Sequence, residues 1–546
     1  MLKPAATYDE VYRRFRWRIP ARYNIAREVC DRHAQARPRA IALIHETDAG
    51  TIRRYTFATV RELAGRTANM FAAHGIERGD RIGVLLGQTP ETLFAHLGAW
   101  KLGAVTIPMF TLFGADALEY RFNNAGAKAV VTDRDNFAKV AAIRDRCPTL
   151  AHVFLIDGDD VGALDFWKLV QHASPQRATL QTRADDPAFL AYTSGTTGPP
   201  KGALHAHRTM RGHMPGFDLP HEFFGQDGDC SWSPADWAWM GGLADVLLPT
   251  LWHGKPVVAF RPKGRFDPER AYAAIAKHRV RNLFMVPTML KLMRATPVPA
   301  GLDLRTVISG GETVGAELIE WGRSRFGLAI NEIYGQTECN LVLAHVPKLM
   351  AAKPGALGRA TPGHRVAVVD ADGTPLPPGI EGEIAVARPD PVMLIEYWRN
   401  PAATRKKYAG EWLLTGDLGT MDEDGYFWFK GRADDVITSG GYRIGPGEIE
   451  DTLLKHPAVA VAAAVGVPDP VRTEIVKAFI VVKPGVAPTD ALAAEIQHWV
   501  REHLAAHEYP RLIEFVTEMP MTATGKVMRR VLRNREIEKQ NAAAHT

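Results

Sequence analysis

The run Tyr192-Thr193-Ser194-Gly195-Thr196-Thr197-Gly198-Pro199-Pro200-Lys201-Gly202 gathers four Ser/Thr hydroxyls, three glycines and one lysine between two apolar stretches. Glycines let backbone N–H groups come close to a ligand, and hydroxyls donate hydrogen bonds to anionic oxygens. Lys201 adds a compact positive charge at the end of the run. Together these are the parts of a polyphosphate cradle. They do not make a Walker loop, since no glycine precedes Lys201 and no Ser/Thr follows it. On composition alone, an ordinary Gly/Ser surface loop fits as well.

Further stretches carry chemistry of the same kind. Ser309-Gly310-Gly311-Glu312 precedes Tyr334-Gly335-Gln336-Thr337-Glu338. Paired glycines allow a flat base to lie against backbone while an aromatic ring covers its other face. Thr337 and Glu338 set a hydroxyl beside a carboxylate, suited to an α-phosphate and a Mg2+ ion. Thr415-Gly416-Asp417-Leu418 comes next, then Gly431-Arg432-Ala433-Asp434-Asp435. Asp417 can accept from two vicinal hydroxyls, and Arg432 can donate to the same sugar or to a phosphate. In Ser439-Gly440-Gly441-Tyr442-Arg443-Ile444-Gly445 the glycines clear side chains from a passage, as a slender pantetheine arm requires. Pro520-Met521-Thr522-Ala523-Thr524-Gly525-Lys526 puts a lysine on a Thr/Gly loop. Taken singly, each stretch is as readily a turn, a solvated ion pair or an exposed lysine.

Regular elements must hold these stretches in place. Arg81–Gly87 reads as a buried strand, and Pro90 opens a helix with Leu93, Leu97 and Trp100 on one face. Short apolar runs at Ala104–Pro108, Ala129–Thr132, Val153–Ile156 and Ala188–Ala191 read as further strands, the last leading into the phosphate run. Val257–Phe260 and Leu283–Val286 resume the alternation. Strands alternating with helices predict α/β units with parallel sheets. One amphipathic helix is expected near Ile25–Ala36. Val366–Val369 and Glu383–Ala387 flank Asp372-Gly373, a hairpin-turn dipeptide, and predict a small β-rich subdomain. After Arg432 the chain reads as compact α+β, with strands at Val459–Val465 and Ala478–Val482 and a helix spaced by Leu492, Ile496 and Val500.

Taken in order, these stretches resemble the adenylate-forming superfamily of acyl-CoA synthetases, nonribosomal peptide adenylation domains and luciferases. The resemblance runs from about Arg22 to Arg530, with every core motif in sequence. It is strongest to medium-chain acyl-CoA synthetases, at Gly431–Pro446, Pro468–Arg472 and Val476–Phe479. It implies a large N-terminal AMP-binding domain (1–433) of two α/β subdomains plus the small β-rich one. A smaller mobile α+β domain (434–546) would turn about Asp434.

By the same resemblance, Thr193, Ser194, Gly195, Thr196, Thr197, Gly198 and Lys201 hold the phosphates of ATP. Adenine lies against Gly311, Glu312 and Tyr334, with Gln336 in the same nucleotide-binding stretch. Thr337 and Glu338 take phosphate and Mg2+, while Asp417 and Arg432 take the ribose. Gly440, Gly441 and Arg443 serve CoA, and Lys526 is the adenylation lysine. Trp239, Gly310 and Gly335 border the acyl group, with Trp237 the alternative to Trp239 and a core role open to both tryptophans. Relatives specific for acetate carry tryptophan where Gly335 stands, so a pocket open to longer or aromatic acids is implied. One departure concerns the same pocket: the usual Thr-Gly after Glu338 is Cys339-Asn340 here.

The implied activity is ATP-dependent acyl-CoA synthesis through acyl-AMP, with ATP, Mg2+ and CoA as cofactors. Loading of a carrier-protein thiol, a luciferase-like oxygenase and a non-catalytic nucleotide sensor are the rivals. Composition agrees with a globular enzyme: 546 residues are long enough for several domains, with 46% hydrophobic and 23% charged residues. A net charge of +5 does not point to nucleic acid, and the basic stretch Arg529–Arg535 reads as a solvated helix. Four scattered cysteines without metal-ligand spacing fit a reducing compartment. With no apolar run near membrane-spanning length, the cytoplasm is the expected location. A homodimer is allowed.

Overall fold

The structure, a computed structural model, describes residues 2–544 except 194–198, 263, 265, 313, 434, 436, 440–441, 470–472, 504–508 and 523–524. The chain divides into two compact units, Met1–Val366 with Val386–Leu413, and Ala367–Ala385 with Leu414–Thr546.

The first unit carries two mixed sheets among its described residues. One has the strand order Glu396–Tyr397, Lys201–Ala206, Pro187–Thr193, Val105–Pro108, Arg81–Leu85, Ala127–Thr132, His152–Leu155, Leu164–Asp165. Its centre is parallel, as the continuous apolar runs predict for strands covered on both faces. The helix Pro90–Leu102 covers it and starts where Thr89 caps the Thr92 N–H with proline in the first turn. It stops at Gly103, whose φ of +74° few other residues tolerate. The other sheet runs Arg359–Ala360, Cys339–His345, Ile330–Gln336, Thr306–Gly310, Asn282–Phe284, Ser231–Trp232, Val257–Ala259, Ile41–Glu46, Ile52–Thr56. Its core is Trp232, Leu283, Met285, Leu290, Val307 and their neighbours.

In the second unit, Val366–Val369, Gly382–Ala387 and Trp412–Met421 lie side by side, with Phe427–Arg432 on the last. A second sheet is ordered Tyr442–Ile444, Ile437–Ser439, Thr473–Val482, Val459–Asp469, with Leu512–Phe515 against Thr473–Val482. The helix Asp490–His503 buries Ile496 and Val500 fully, two of the three positions its spacing predicted.

The mixed α/β architecture therefore agrees with the sequence reading, and two local expectations change. The helix expected over 25–36 is a π-helical turn, Arg27–Asp31, followed by an α-helix, Arg32–Ala36. Asp372-Gly373 does reverse the chain, but it closes on a Val369–Pro375 bridge rather than joining two long strands directly. The strand Gly382–Ala387 begins only after Pro377-Pro378-Gly379. All four cysteines are buried free thiols.

Strand Ile330–Gln336 carries a buried carboxyl, Glu332. Loss of water pushes its pKa up to about 7, and the Val314 N–H, 3.3 Å from Oε1, offsets little of this. The folded state therefore binds this proton more tightly than the unfolded chain, and stability is lost as pH rises from about 4.5 through 7. Glu332→Gln should leave the thermal midpoint unchanged at pH 4.5 and raise it at pH 8. A midpoint difference that is the same at both pH values would show that Glu332 does not titrate in this way.

Candidate active site

Strands Pro187–Thr193 and Lys201–Ala206 are antiparallel, with Tyr192 opposite Gly202 and Thr193 opposite Lys201. The two ends of the glycine–hydroxyl run are thus held in register. Ser194, Gly195, Thr196, Thr197 and Gly198 lie outside the described residues. A short edge strand, Glu396–Tyr397, adds to Lys201–Ala206 and brings in a residue that the sequence reading missed. Tyr397 Oη donates to Glu338 Oε1 at 2.5 Å, and Lys201 Nζ lies 5.6 Å from the centre of the same ring.

Glu338 and Thr337 form the turn between Ile330–Gln336 and Cys339–His345, where Gln336 pairs with Cys339. The Leu394 N–H donates to the Glu338 carbonyl at 2.9 Å, fixing the turn from the other side. Glu338 is nearly buried, and its Oε2 has no hydrogen-bond partner among the described residues. A carboxylate held by one oxygen with the other open suits a hard cation that takes its remaining ligands from phosphate and water. Among the described residues no group of three or more His, Cys, Asp or Glu side chains forms a complete metal cage.

Glycines set the spacing on the next strands. Gly310 is paired with Ile333, and a Cβ there would lie 2.4 Å from the Ile333 carbonyl oxygen. Gly311 has φ +88°, and its open side faces the Trp239 ring, 3.6 Å from where a Cβ would be. Trp237 is fully buried in the core, whereas Trp239 is half-buried and packs on Phe284. The two tryptophans are thus separated, with Trp239 beside the glycine pair. At Gly335 a Cβ would sit 2.3 Å from the Leu341 N, so a larger residue there would need the hairpin backbone of this chain to shift. Tyr334 and Gln336 are half-buried, and Gln336 Oε1 accepts from Lys407 Nζ at 2.8 Å. Glu312 Oε2 accepts from Thr288 Oγ1 at 2.9 Å.

Asp417, Arg432 and Lys526 belong to the second unit. Asp417 and Arg432 are opposite each other on paired strands, with Arg432 Nη1 2.8 Å from Asp417 Oδ1. Gly416, at φ +77°, leaves room for the guanidinium, which a Cβ would meet at 2.9 Å. Lys526 is exposed on a tight loop closed by the Thr522 N–H to the Lys526 carbonyl at 2.7 Å. Thr522 Oγ1 also accepts from the Lys526 N–H at 3.0 Å. Asp434, Gly440 and Gly441 lie outside the described residues, as does the Arg443 side chain on the strand Tyr442–Ile444. A second feature that the sequence reading missed ties this unit together. Arg529 donates to Asp435 Oδ2 at 2.9 Å and through two nitrogens to Glu450, and its pKa is raised by those carboxylates despite burial.

Comparison with known proteins gives the family. The chain belongs to the AMP-binding enzyme family, which it matches over residues 30–398, with the family's C-terminal domain at 448–526. It is 36% identical to the acetyl-coenzyme A synthetase of Bacillus subtilis, over 97% of this chain and 95% of that protein. It is 35% identical to the mitochondrial acyl-coenzyme A synthetase ACSM2 of Rattus norvegicus, over 95% of this chain and 92% of that one. The anthranilate CoA ligase AuaEII, solved with anthranoyl-AMP, superposes with a TM-score of 0.84 at 29% identity, covering 96% of this chain and 99% of that one. No helix among the described residues is long and apolar enough to cross a membrane.

Tyr397 gives this site a direct test. A hydrogen bond to a charged group contributes about 1.5–3 kcal/mol. Tyr397→Phe should therefore raise the apparent KM for Mg–ATP or lower kcat by roughly ten- to a hundredfold. Steady-state kinetics at varied Mg–ATP measure this. Kinetics equal to wild type would show that Tyr397 does not hold Glu338 for function.

Proposed function

We propose that the protein is an ATP-dependent acyl-CoA synthetase acting on a medium-chain fatty or aromatic acid. One observation carries this reading beyond family membership: Tyr397 holds Glu338 by one oxygen while its ring lies 5.6 Å from Nζ of Lys201, the lysine that ends the phosphate run, and the other carboxylate oxygen has no hydrogen-bond partner among the described residues. Mg2+ would be held by Glu338 together with the phosphates, and when bound it offsets their charge. Thr193, Lys201 and Thr337 face the phosphates in this reading, and Tyr334 and Gly311 enclose the adenine. Asp417 takes the ribose hydroxyls, with Arg432 fixing the carboxylate by its ion pair.

The reaction runs in two halves. A carboxylate oxygen of the acid bonds to the α-phosphorus of ATP as the bond to the β-phosphate oxygen breaks, releasing pyrophosphate. The CoA sulfur then bonds to the acyl carbonyl carbon, the bond to the AMP oxygen breaks, and the thiol proton leaves to solvent. No protein nucleophile is needed. We assign the functional boundary to 433/434, with the hinge at Asp434, so that Lys526 serves the first half and the Gly440-Gly441 stretch of the sequence the second. Exchange of one element for another about a few hinge residues is an ordinary domain motion. We also propose a cytoplasmic location, from the scattered free cysteines and the absence of long apolar runs in the sequence, with a homodimer allowed.

Lys526→Ala is expected to slow acyl-AMP formation by more than about a hundredfold. Thioester formation from supplied acyl-AMP should stay within about threefold of wild type, since that step uses no ammonium at the α-phosphate. Single-turnover assays of each half separate the two. Equal losses in both halves would contradict the assignment of Lys526.

A further inference from the structure

Asp245 lies in a π-helical turn, Leu243–Leu247, that directly follows Trp239 and the short helix Met240–Gly242. Such turns re-aim side chains and occur often at functional sites. Asn340 lies on the strand Cys339–His345, at one of the two positions where the sequence departs from its relatives' Thr-Gly. Ninety-five positions apart in sequence, the two side chains meet: Asn340 Nδ2 donates to Asp245 Oδ1 at 2.6 Å. The same nitrogen is 3.2 Å from His213 Nε2, while His213 Nδ1 is 2.7 Å from the Thr209 carbonyl oxygen. His213 therefore carries its proton on Nδ1 and accepts at Nε2, and burial holds it neutral by lowering its pKa to about 4. Burial also pushes the Asp245 carboxyl well above its ordinary range, which favours its protonated form.

Both amide hydrogens of Asn340 are thereby used. Asp245 Oδ2 and Asn340 Oδ1 have no hydrogen-bond partner among the described residues. The two residues keep 4% and 6% exposure. Neither oxygen is among the fully sealed, unpartnered side-chain atoms of the described residues, so a small polar group can reach each of them and be bound there. The elements around them are those that the sequence reading places at the acyl group. A Cβ on Gly335 would lie 2.8 Å from the Asn340 Cα, and Gly310 pairs with Ile333 on the same strand as Gly335. Trp239, beside Gly311, begins the segment that ends in Asp245.

We infer that Asp245 and Asn340 are specificity-determining residues of the acyl site, and that the acid it activates carries a hydroxyl on its chain or ring. One hydroxyl satisfies both groups, accepting from the Asp245 O–H and donating to the Asn340 carbonyl oxygen. An acid without it leaves both groups unpaired. This rests on the acyl-CoA synthetase reading above.

The test is ATP–pyrophosphate exchange by the full-length enzyme on matched pairs of acids: butyrate, hexanoate and benzoate, each against its hydroxylated forms. At least one hydroxy acid should exceed its parent by roughly ten- to a hundredfold in kcat/KM. Asn340→Gly and Asp245→Leu should each reduce that ratio to about threefold or less, with the KM for ATP unchanged. If every parent acid equals or exceeds its hydroxylated forms, or if the preference survives in both variants, the inference is overturned while the enzyme reading stands. An acid with an ammonium group in place of the hydroxyl outperforming both would equally overturn it. Absence of exchange with any acid would overturn the enzyme reading and this inference with it. The wild-type comparison does not depend on either variant folding.

Discussion

An organic carboxylate and the α-phosphate of ATP must be held in contact although both are anions. At 4 Å and an effective dielectric near 20, two unit charges repel by roughly 4 kcal/mol. The proposed site is a set of devices against that repulsion. Lys201 ends the phosphate run, Glu338 is held ready for a divalent cation, and Lys526 stands on its own loop in the second unit. Glu338 is fixed by a buried partner, and the backbone that carries each lysine is held by hydrogen bonds of its strand or loop. Fixed groups need little reorganisation as negative charge shifts toward pyrophosphate, which is where electrostatic catalysis gains its strength.

The mixed sheets exist, in this view, to present turns. Thr337-Glu338 is the turn of one antiparallel pair, and the phosphate run joins the two strands of another. Each pair lies near one end of its sheet, covered by a single two-residue edge strand and followed by parallel apolar strands, so the core supplies rigidity and the turns supply chemistry. Glycines at 310 and 335 let neighbouring backbones approach more closely than a Cβ would permit. Trp239 packs beside Gly311, and Asn340, which meets Asp245, lies against Gly335. The π-helical turn at Leu243–Leu247 adds the residue that aims Asp245 at Asn340.

What the sequence made legible were features encoded locally. Apolar runs such as Arg81–Leu85 became buried parallel strands, and Thr89-Pro90 opened a helix because both residues satisfy its first turn. The nucleotide motifs were readable because residue type and spacing lie within a few positions of one another. What escaped were contacts between distant segments. Tyr397 meets Glu338 across 59 positions, and nothing in its own neighbourhood marks it, since an aromatic pair before Asn400-Pro401 is ordinary loop sequence. Arg529, Glu450 and Asp435 likewise come together only through the fold. The Cys339-Asn340 departure was visible in the sequence, but its meaning needed Asp245, which no local pattern singled out.

The most direct measurement follows an oxygen atom. When the acid is supplied with oxygen-18 in its carboxylate, attack on the α-phosphorus and later displacement by CoA must leave one labelled oxygen on AMP. The account predicts AMP carrying one oxygen-18 for each acyl-CoA formed, with unlabelled pyrophosphate. Label in orthophosphate with ADP as the other product, or acyl-CoA formed with unlabelled AMP, would contradict it.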